Sequence, residues 1–322
     1  MGKFYHNSFF AMGTRFNTVI PNADEELCER LFRMIQSEVK RIEAKLNYFD
    51  TGSIVAQINE QAFLSEVKLD DEMYELFSIC LDYHNLTFGA FDITMRRIVE
   101  YYNQNPEAAE SKLGSRMNSV ILNRNSRSIR FSDKEAKIDF GGFGKGYALS
   151  RVKKLLDNSP IESAFVSFGE SSILSKGNHP NGRGWKVGIN DYWTDDTAYS
   201  FDLFNESIST SSNYFKDDTG QLIFKVNVIN PITGDLKRVR EIVSVKSVSP
   251  LVCEILSTAF MNLTDEQITS IKNELKNIEA VRINYSNDRK IITYLSKEPV
   301  FIDFESKNPC SSSVIATRSG VL

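Results

Sequence analysis

Cysteine, histidine and tryptophan are scarce in this 322-residue chain, at four, three and two residues. Cys28, Cys80, Cys253 and Cys310 lie far apart, with no Cys-x-x-Cys and no zinc-site spacing. That excludes a disulfide framework and predicts buried, reduced thiols. His6, His84 and His179 form no His-x-x-His pair, which removes support for a zinc enzyme or a Ser–His–Asp hydrolase. Basic residues do not cluster, and 38 Lys and Arg against 42 Asp and Glu leave a net charge of −4. No nucleic-acid partner is therefore expected. No stretch approaches the roughly 20 apolar residues of a membrane span. The first residues, MGKFYHNSFFAMGTRF, hold neither a long apolar run nor a small-residue cleavage site, and His6 stands where a myristoylation signal wants Ser or Thr. These absences predict a cytoplasmic protein without an export signal or lipid anchor. Repeats, low-complexity segments and linkers are also missing.

What is present is an ordinary globular composition, 41% hydrophobic and 25% charged, long enough for a sizeable core. Leu27, Leu31, Met34, Ile35, Val39, Ile42 and Leu46 recur at helical spacing and predict a helix over 23–46, with Asp24, Glu25 and Glu26 at its positive end. A second helix is expected over 70–84, from Met73, Leu76, Phe77, Cys80 and Leu81. SVILNRNSRSIRF (119–131) reads as a hairpin turning at Asn-Arg-Asn, and AVRINYSNDRKIITYLS (280–296) as another turning at Asn287-Asp288. IESAFVSFGESS (161–172) is a strand broken at Gly169; GWKVGIND and EIVSVKSVS are further strands. Ser249-Pro250 starts a helix over 249–263, and Thr264 to Gln267 is a capping box for the next. Helices interleaved with hairpins predict a mixed α+β fold, with antiparallel sheets and packed helices, rather than a doubly wound parallel sheet. The chain reads as one domain, 1–322, with a loose tail over about 310–322.

Three stretches can carry chemistry. KIDFGGFGKGYALSRV (137–152) places four glycines between an expected apolar strand, Lys137–Phe140, and an amphipathic helix burying Val152, Leu155 and Leu156. Glycine lets backbone approach a ligand, often a phosphate at a helix N-terminus, or simply makes a tight turn. It is neither a Walker A motif, since Gly146 follows Lys145, nor a GxGxxG fingerprint, since Tyr147 stands at the third glycine. GAFDITM (89–95) holds Asp92, whose simplest role is a helix N-cap. CEILSTAF (253–260) places Glu254 and Thr258 on one helical face with Ser257 adjacent, a carboxylate–hydroxyl set suited to a hard cation such as Mg2+. The plain alternative puts Glu254 at the surface and bonds the hydroxyls back to the helix. ISTSSNYF (208–215) is a hydroxyl cluster and VINPITG (228–234) a turn.

Taken in order, FFAMGTRF, LNYFDTGSIVAQIN, GAFDIT, IDFGGFGKGYA, WKVGI, ISTSSNYF, INPITG and VSV…CEILSTAFM, spanning about residues 9–263, resemble the ApbE-type flavin transferases, the FAD:protein FMN transferases. The resemblance implies a Mg2+-dependent enzyme that splits the pyrophosphate of FAD, joins FMN to a Ser or Thr of a target flavoprotein and releases AMP. It implies FAD contacts at Met12, Phe49, Ala90, Phe91, Asp92, Gly141, Tyr147 and Val228, and metal ligands at Gly144 (through its carbonyl), Glu254, Ser257 and Thr258. Departures from the family pattern are concentrated at the chemistry. Asn227, in NVINP, stands where the family has His as the general base, and Asn230 where it has Asp. Glu254 replaces the metal Asp, GES (169–171) replaces GGD, and Ile54 replaces a Glu. An FAD pyrophosphatase and a non-catalytic FAD-binding protein are the alternatives these departures raise. No acceptor motif for self-flavinylation is evident.

Overall fold

The computed structural model describes residues 3–302, except 109, 112, 195, 218, 227, 287, 288 and 296–299. Asn227, the Asn287-Asp288 turn, Cys310 and the expected tail thus lie outside the described residues.

The backbone of the molecule is a nine-stranded sheet. Its strands are β1 (Phe4–Ala11), β2 (Thr14–Pro21), β3 (Ala164–Phe168), β4 (Ser172–Lys176), β5 (Ser207–Ser212), β6 (Glu241–Ser247), β7 (Glu279–Ser286), β8 (Arg289–Tyr294) and β9 (Val300–Ile302). Spatial order follows chain order, and every neighbouring pair is antiparallel. The α+β expectation holds, because the hairpin turns join strands directly and the helices enter as insertions between them. The β1–β2 turn shows how. Met12 and Gly13 have φ of 47° and 73°, the left-handed pair of a two-residue hairpin whose twist matches its strands.

Among the described residues seven α-helices accompany the sheet: α1 (Glu25–Leu46), α2 (Ile54–Gln61), α3 (Asp71–Leu86), α4 (Arg96–Gln104), α5 (Gly144–Asp157), α6 (Pro250–Phe260) and α7 (Asp265–Glu274). Their starts follow local chemistry. Asp24, Ser53, Asp70, Ser249 and Thr264 each accept a backbone N–H of the first turn, worth about 1 kcal/mol apiece. The Thr264–Gln267 capping box is complete. The expected strand over Lys137–Phe140 is instead irregular. At Ile138 the ladder bonds are supplied by one side chain: Asn59 on α2 accepts from Ile138 N at 2.6 Å and donates to Ile138 O at 2.8 Å, while Asp139 N donates to Ile93 O at 2.8 Å. An amide side chain presents the same donor and acceptor as a strand neighbour, so extended backbone persists without a ladder.

The two faces of the sheet are covered differently. One packs under α5 and α6, with α1 against α5; Val166, Phe168, Leu174, Val243 and Val245 join Val152, Leu156, Ile255 and Ala259 in that core. The other face lies against a two-stranded ribbon, Trp185–Asn190 with Thr197–Leu203. There Ile173, Ile208, Ile242 and Ile283 meet Trp185, Val187 and Phe201. The period of two along each strand sends alternate residues to the two cores. In β5 the positions facing the helices, Ser207, Ser209 and Ser211, are serines, and in β4 Ser172 shares that face with Leu174.

Candidate active site

The glycine-rich segment ends at the N-terminus of α5, whose capping position, Phe143, makes no side-chain cap bond. The four glycines serve different ends. A Cβ on Gly146 would lie 2.5 Å from Glu254 Cβ and 3.0 Å from Pro250 O, a contact that α5 and α6 tolerate only because position 146 has no side chain. Gly141 and Gly142 are exposed, and Gly142 faces open space. Gly144 is buried, with Met12 Sδ 3.8 Å from where its Cβ would be. That places the β1–β2 turn at the start of α5. The Met12 N–H is held there by Glu43.

Below this loop lies a polar cluster in the helix-facing core. Glu254 is 5% exposed, so the surface position that its helix alone suggested is not realised. Its Oε1 receives Lys145 Nζ at 2.8 Å, and its Oε2 accepts from Ser172 Oγ at 2.6 Å and Ser209 Oγ at 2.9 Å. Burial without these donors would cost several kcal/mol. Lys145 Nζ also donates to Ser171 Oγ at 3.0 Å and Ser172 Oγ at 2.9 Å. Ser257 Oγ lies 2.9 Å from Ser211 Oγ and donates to Ser209 Oγ at 3.3 Å. Thr258 Oγ1 is 3.2 Å from Ser211 Oγ. Ser257 also donates back to Glu254 O at 3.2 Å, so the back-bonded reading holds for that hydroxyl in part. Lys145 and Ser172 were not among the sequence candidates; Ser209 and Ser211 lay in the hydroxyl cluster 208–215 and Ser171 in the GES departure, each without an assigned role. The available signal was alternate serines in a strand, repeated opposite a helix that carries its own hydroxyls.

A second group lines the segment before α4. Asp92 is not a helix N-cap: α4 begins after Met95 with no side-chain cap. Its Oδ1 instead accepts from Thr94 N and Thr94 Oγ1, both at 2.6 Å, and its Oδ2 accepts from Ser115. The carboxylate closes a local Asx turn, after the chain has left α3 through a left-handed Phe88-Gly89 pair, φ 54° and 83°. Ala90 and Phe91 are buried, and His84 Nδ1 is 2.8 Å from Phe91 O. Phe91, Phe143 and Tyr147 form a file of rings with centroids 6.2 Å apart. Tyr147 donates to Glu72 Oε1 at 2.7 Å; burial and that carboxylate raise its phenol above the ordinary range. Phe49 is 75% exposed. Arg96 lies 4.7 Å from its ring centroid and reaches Asp139 at 3.4 Å, while Asp139 accepts from Gly141 N at 2.8 Å. Phe49, Arg96, Asp139 and Gly141 are thereby linked.

Val228 is buried and clamped by Asn213, which accepts from Val228 N at 2.6 Å and donates to Val228 O at 3.1 Å. Asn213 lies in the 208–215 stretch but had no role assigned from the sequence. Asn230 Oδ1 accepts from Ile232 N at 2.9 Å and Thr233 N at 3.4 Å. The carboxamide therefore does what a carboxylate would do in the same turn. The described cysteines, Cys28, Cys80 and Cys253, are free and buried, and burial pushes their thiols up, away from nucleophilic use.

Among the described residues no three His, Cys, Asp or Glu side chains come together. A cation at Glu254 would rest on one carboxylate, the Ser257 and Thr258 hydroxyls and backbone carbonyl oxygen. An all-oxygen donor set in a buried, hydroxyl-lined position fits a hard cation and not a thiophilic one. No described helix is long and apolar enough to cross a membrane.

Comparison with known proteins shows what the chain and its fold are similar to. The chain is 24% identical over 283 residues to an FAD:protein FMN transferase of Klebsiella pneumoniae (strain 342), covering 82% of this chain and 79% of that one. It is 25% identical over 241 residues to the Escherichia coli (strain K12) FAD:protein FMN transferase, covering 69% and 68%. The fold matches the flavin transferase ApbE from Vibrio cholerae with a TM-score of 0.76 at 18% identity, over 91% of this chain and 97% of that one. It matches the ApbE protein from Thermotoga maritima at 0.73 and 23% identity, over 93% and 97%. The family model described as the ApbE family matches residues 12–282, and the chain belongs to that family.

Proposed function

We propose that this protein is a Mg2+-dependent FAD:protein FMN transferase. The observation that carries the reading is the buried Glu254 beneath the glycine loop, ringed by hydroxyls and approached by Lys145, in a chain whose relatives are named for this activity. An acceptor Ser or Thr hydroxyl of a target flavoprotein attacks the FMN-side phosphorus. The pyrophosphate P–O bond breaks, AMP leaves with its oxygen, and the hydroxyl proton passes to a base or to water. Gly141 and Gly142 give the phosphates access to backbone at the start of α5. Ala90, Phe91, Met12, Tyr147, Val228 and Phe49 form the apolar and aromatic surround for flat rings, and Asp92 holds their segment in place. Glu254, Ser257, Thr258 and the Gly144 carbonyl would hold Mg2+, whose charge offsets that of the pyrophosphate.

A second reading, a protein that binds FAD without turning it over, is favoured by Asn227, because a carboxamide does not accept a proton near neutral pH. A third, a pyrophosphatase, differs in using water as acceptor. Purified protein incubated with FAD and Mg2+, with and without EDTA and with and without a flavoprotein acceptor, separates them. A transferase releases AMP only with acceptor, which becomes covalently fluorescent. A hydrolase releases AMP without acceptor, and a binder returns intact FAD in every arm. In the transferase case Asn227→His raises the rate by up to about 10²-fold, the lower end of what a general base supplies. A flat or reduced rate assigns the base elsewhere.

A further inference from the structure

The Glu254 carboxylate already has a cation. Lys145 Nζ sits 2.8 Å from Oε1, and Oε2 is filled by Ser172 and Ser209. A divalent ion drawing on the same carboxylate would meet the ammonium within a few ångströms. Two like charges at that distance in a partly desolvated site repel strongly. One of them must yield, and the surroundings favour movement of the lysine. Its side chain is 22% exposed, so it has a route to water, whereas Glu254 is enclosed. It carries two further acceptors, Ser171 Oγ at 3.0 Å and Ser172 Oγ at 2.9 Å. Ser171 lies on the β3–β4 turn, beside Gly169 and Glu170 at φ 65° and 62°. These hydroxyls retain the ammonium after it leaves the carboxylate. They also rotate freely to donate or accept, so the exchange strands no polar group.

We propose that Lys145 is a resident counter-ion of the metal site, holding Glu254 paired in the metal-free protein and exchanging with a divalent cation when one binds. This rests on the metal reading above. It assigns Lys145 a positioning role: the buried carboxylate is kept paired and aimed without metal, and the protein's affinity for metal is lowered by the ammonium that must be displaced. Sequence position alone does not suggest this, since the two residues are separated by more than a hundred positions.

The test is Mn2+ binding, measured by calorimetry and by the loss of free Mn2+ paramagnetic resonance signal, on the full chain and three variants. Lys145→Met is expected to bind Mn2+ about tenfold more tightly than the unaltered protein, as follows from removing one nearby positive charge. Lys145→Arg, which keeps the charge, is expected to stay within about twofold. Glu254→Gln is expected to lose binding. Melting curves give an independent readout. Without metal, Lys145→Met melts lower than the unaltered protein, because a buried carboxylate has lost its partner, and Mn2+ raises its midpoint by more. If Lys145→Met folds only with Mn2+ present, the ion has taken the place of the ammonium and the proposal stands. Equal or weaker Mn2+ binding by Lys145→Met, with Glu254→Gln inactive in binding, overturns the exchange and leaves the metal reading intact. Failure of Lys145→Met to fold at any Mn2+ concentration makes Lys145 a purely structural counter-ion and also overturns it. If the unaltered protein and Glu254→Gln bind Mn2+ alike, the metal reading falls and the exchange with it.

Discussion

Two carboxylates, Glu241 and Glu254, are buried almost equally, 3% and 5% exposed, yet their surroundings differ in kind. Glu241, at the start of β6, meets two cations: Lys237 at 2.8 Å and Arg282 at 2.7 Å. Arg282 also donates to Phe260 O at 2.6 Å, Leu263 O at 3.0 Å and Asp265 Oδ1 at 2.7 Å. It therefore satisfies carbonyls at the end of α6 and fastens the start of α7. The guanidinium fork fixes this geometry. Glu254, on α6, meets one flexible ammonium and otherwise hydroxyls. Hydroxyls reorient at little cost and act as donor or acceptor in turn. The first cluster is closed and holds elements together. The second can change partners, which the proposed binding of an ion and a phosphate there requires. Burial alone does not distinguish a structural carboxylate from a working one; the chemistry of its partners does.

The largest expected effect breaks the structural member of the pair. Glu241→Ala leaves Lys237 without its carboxylate and Arg282 with Asp265 alone, and is expected to cost about 3–5 kcal/mol of stability, read as a large fall in the denaturation midpoint. Glu254→Ala should show the opposite profile. Turnover with FAD and acceptor falls about 10²- to 10³-fold, while the fall in midpoint is smaller than for Glu241→Ala. A larger loss of stability at Glu254 than at Glu241 would erase the distinction. Gly146→Ala sharpens the comparison by pushing α5 off α6 at Glu254. Overpacking costs about 1–3 kcal/mol, and the displaced Lys145 lowers turnover beyond what the stability loss accounts for. The smallest effect concerns a network between these helices and α3. Glu72 accepts from Arg41, Lys45 and Tyr147, and the Arg41 guanidinium above all holds its carboxyl well below the ordinary 4.5. Its contribution is complete above that pH and is lost as pH falls below it. Glu72→Gln should lower stability at pH 7 by about 1 kcal/mol, as for a partly exposed network, and the difference from the unaltered protein should shrink below pH 4. A constant difference across pH would remove Glu72 from the acid response.

Much of the architecture was readable because it is local. The apolar period of α1, the Ser249-Pro250 start, the Thr264–Gln267 box and the 119–131 hairpin, whose strands Val120–Asn123 and Ser128–Phe131 pair, each depend on residues within a few positions of one another, where backbone sterics and capping bonds act. The same holds for the cation-suited face of α6, since residues four apart on a helix are neighbours whatever surrounds them. Local reading failed in two ways. Distant Asn59 stands in for a strand beside Ile138, and Asp92 closes a local turn on Thr94 rather than capping α4.

What the chain alone determined, then, is its family, its α+β class and the oxygen-bearing face of α6. Only the tertiary structure decided that Glu254 is buried, that Lys145 is its partner, that serines of β4 and β5 face it, and that Asn213 clamps Val228. Those pairings join residues that no fixed spacing relates. They exist because a meander of strands and two closely packed helices bring them within hydrogen-bonding reach, and because a buried charge must find its partners wherever the fold places them.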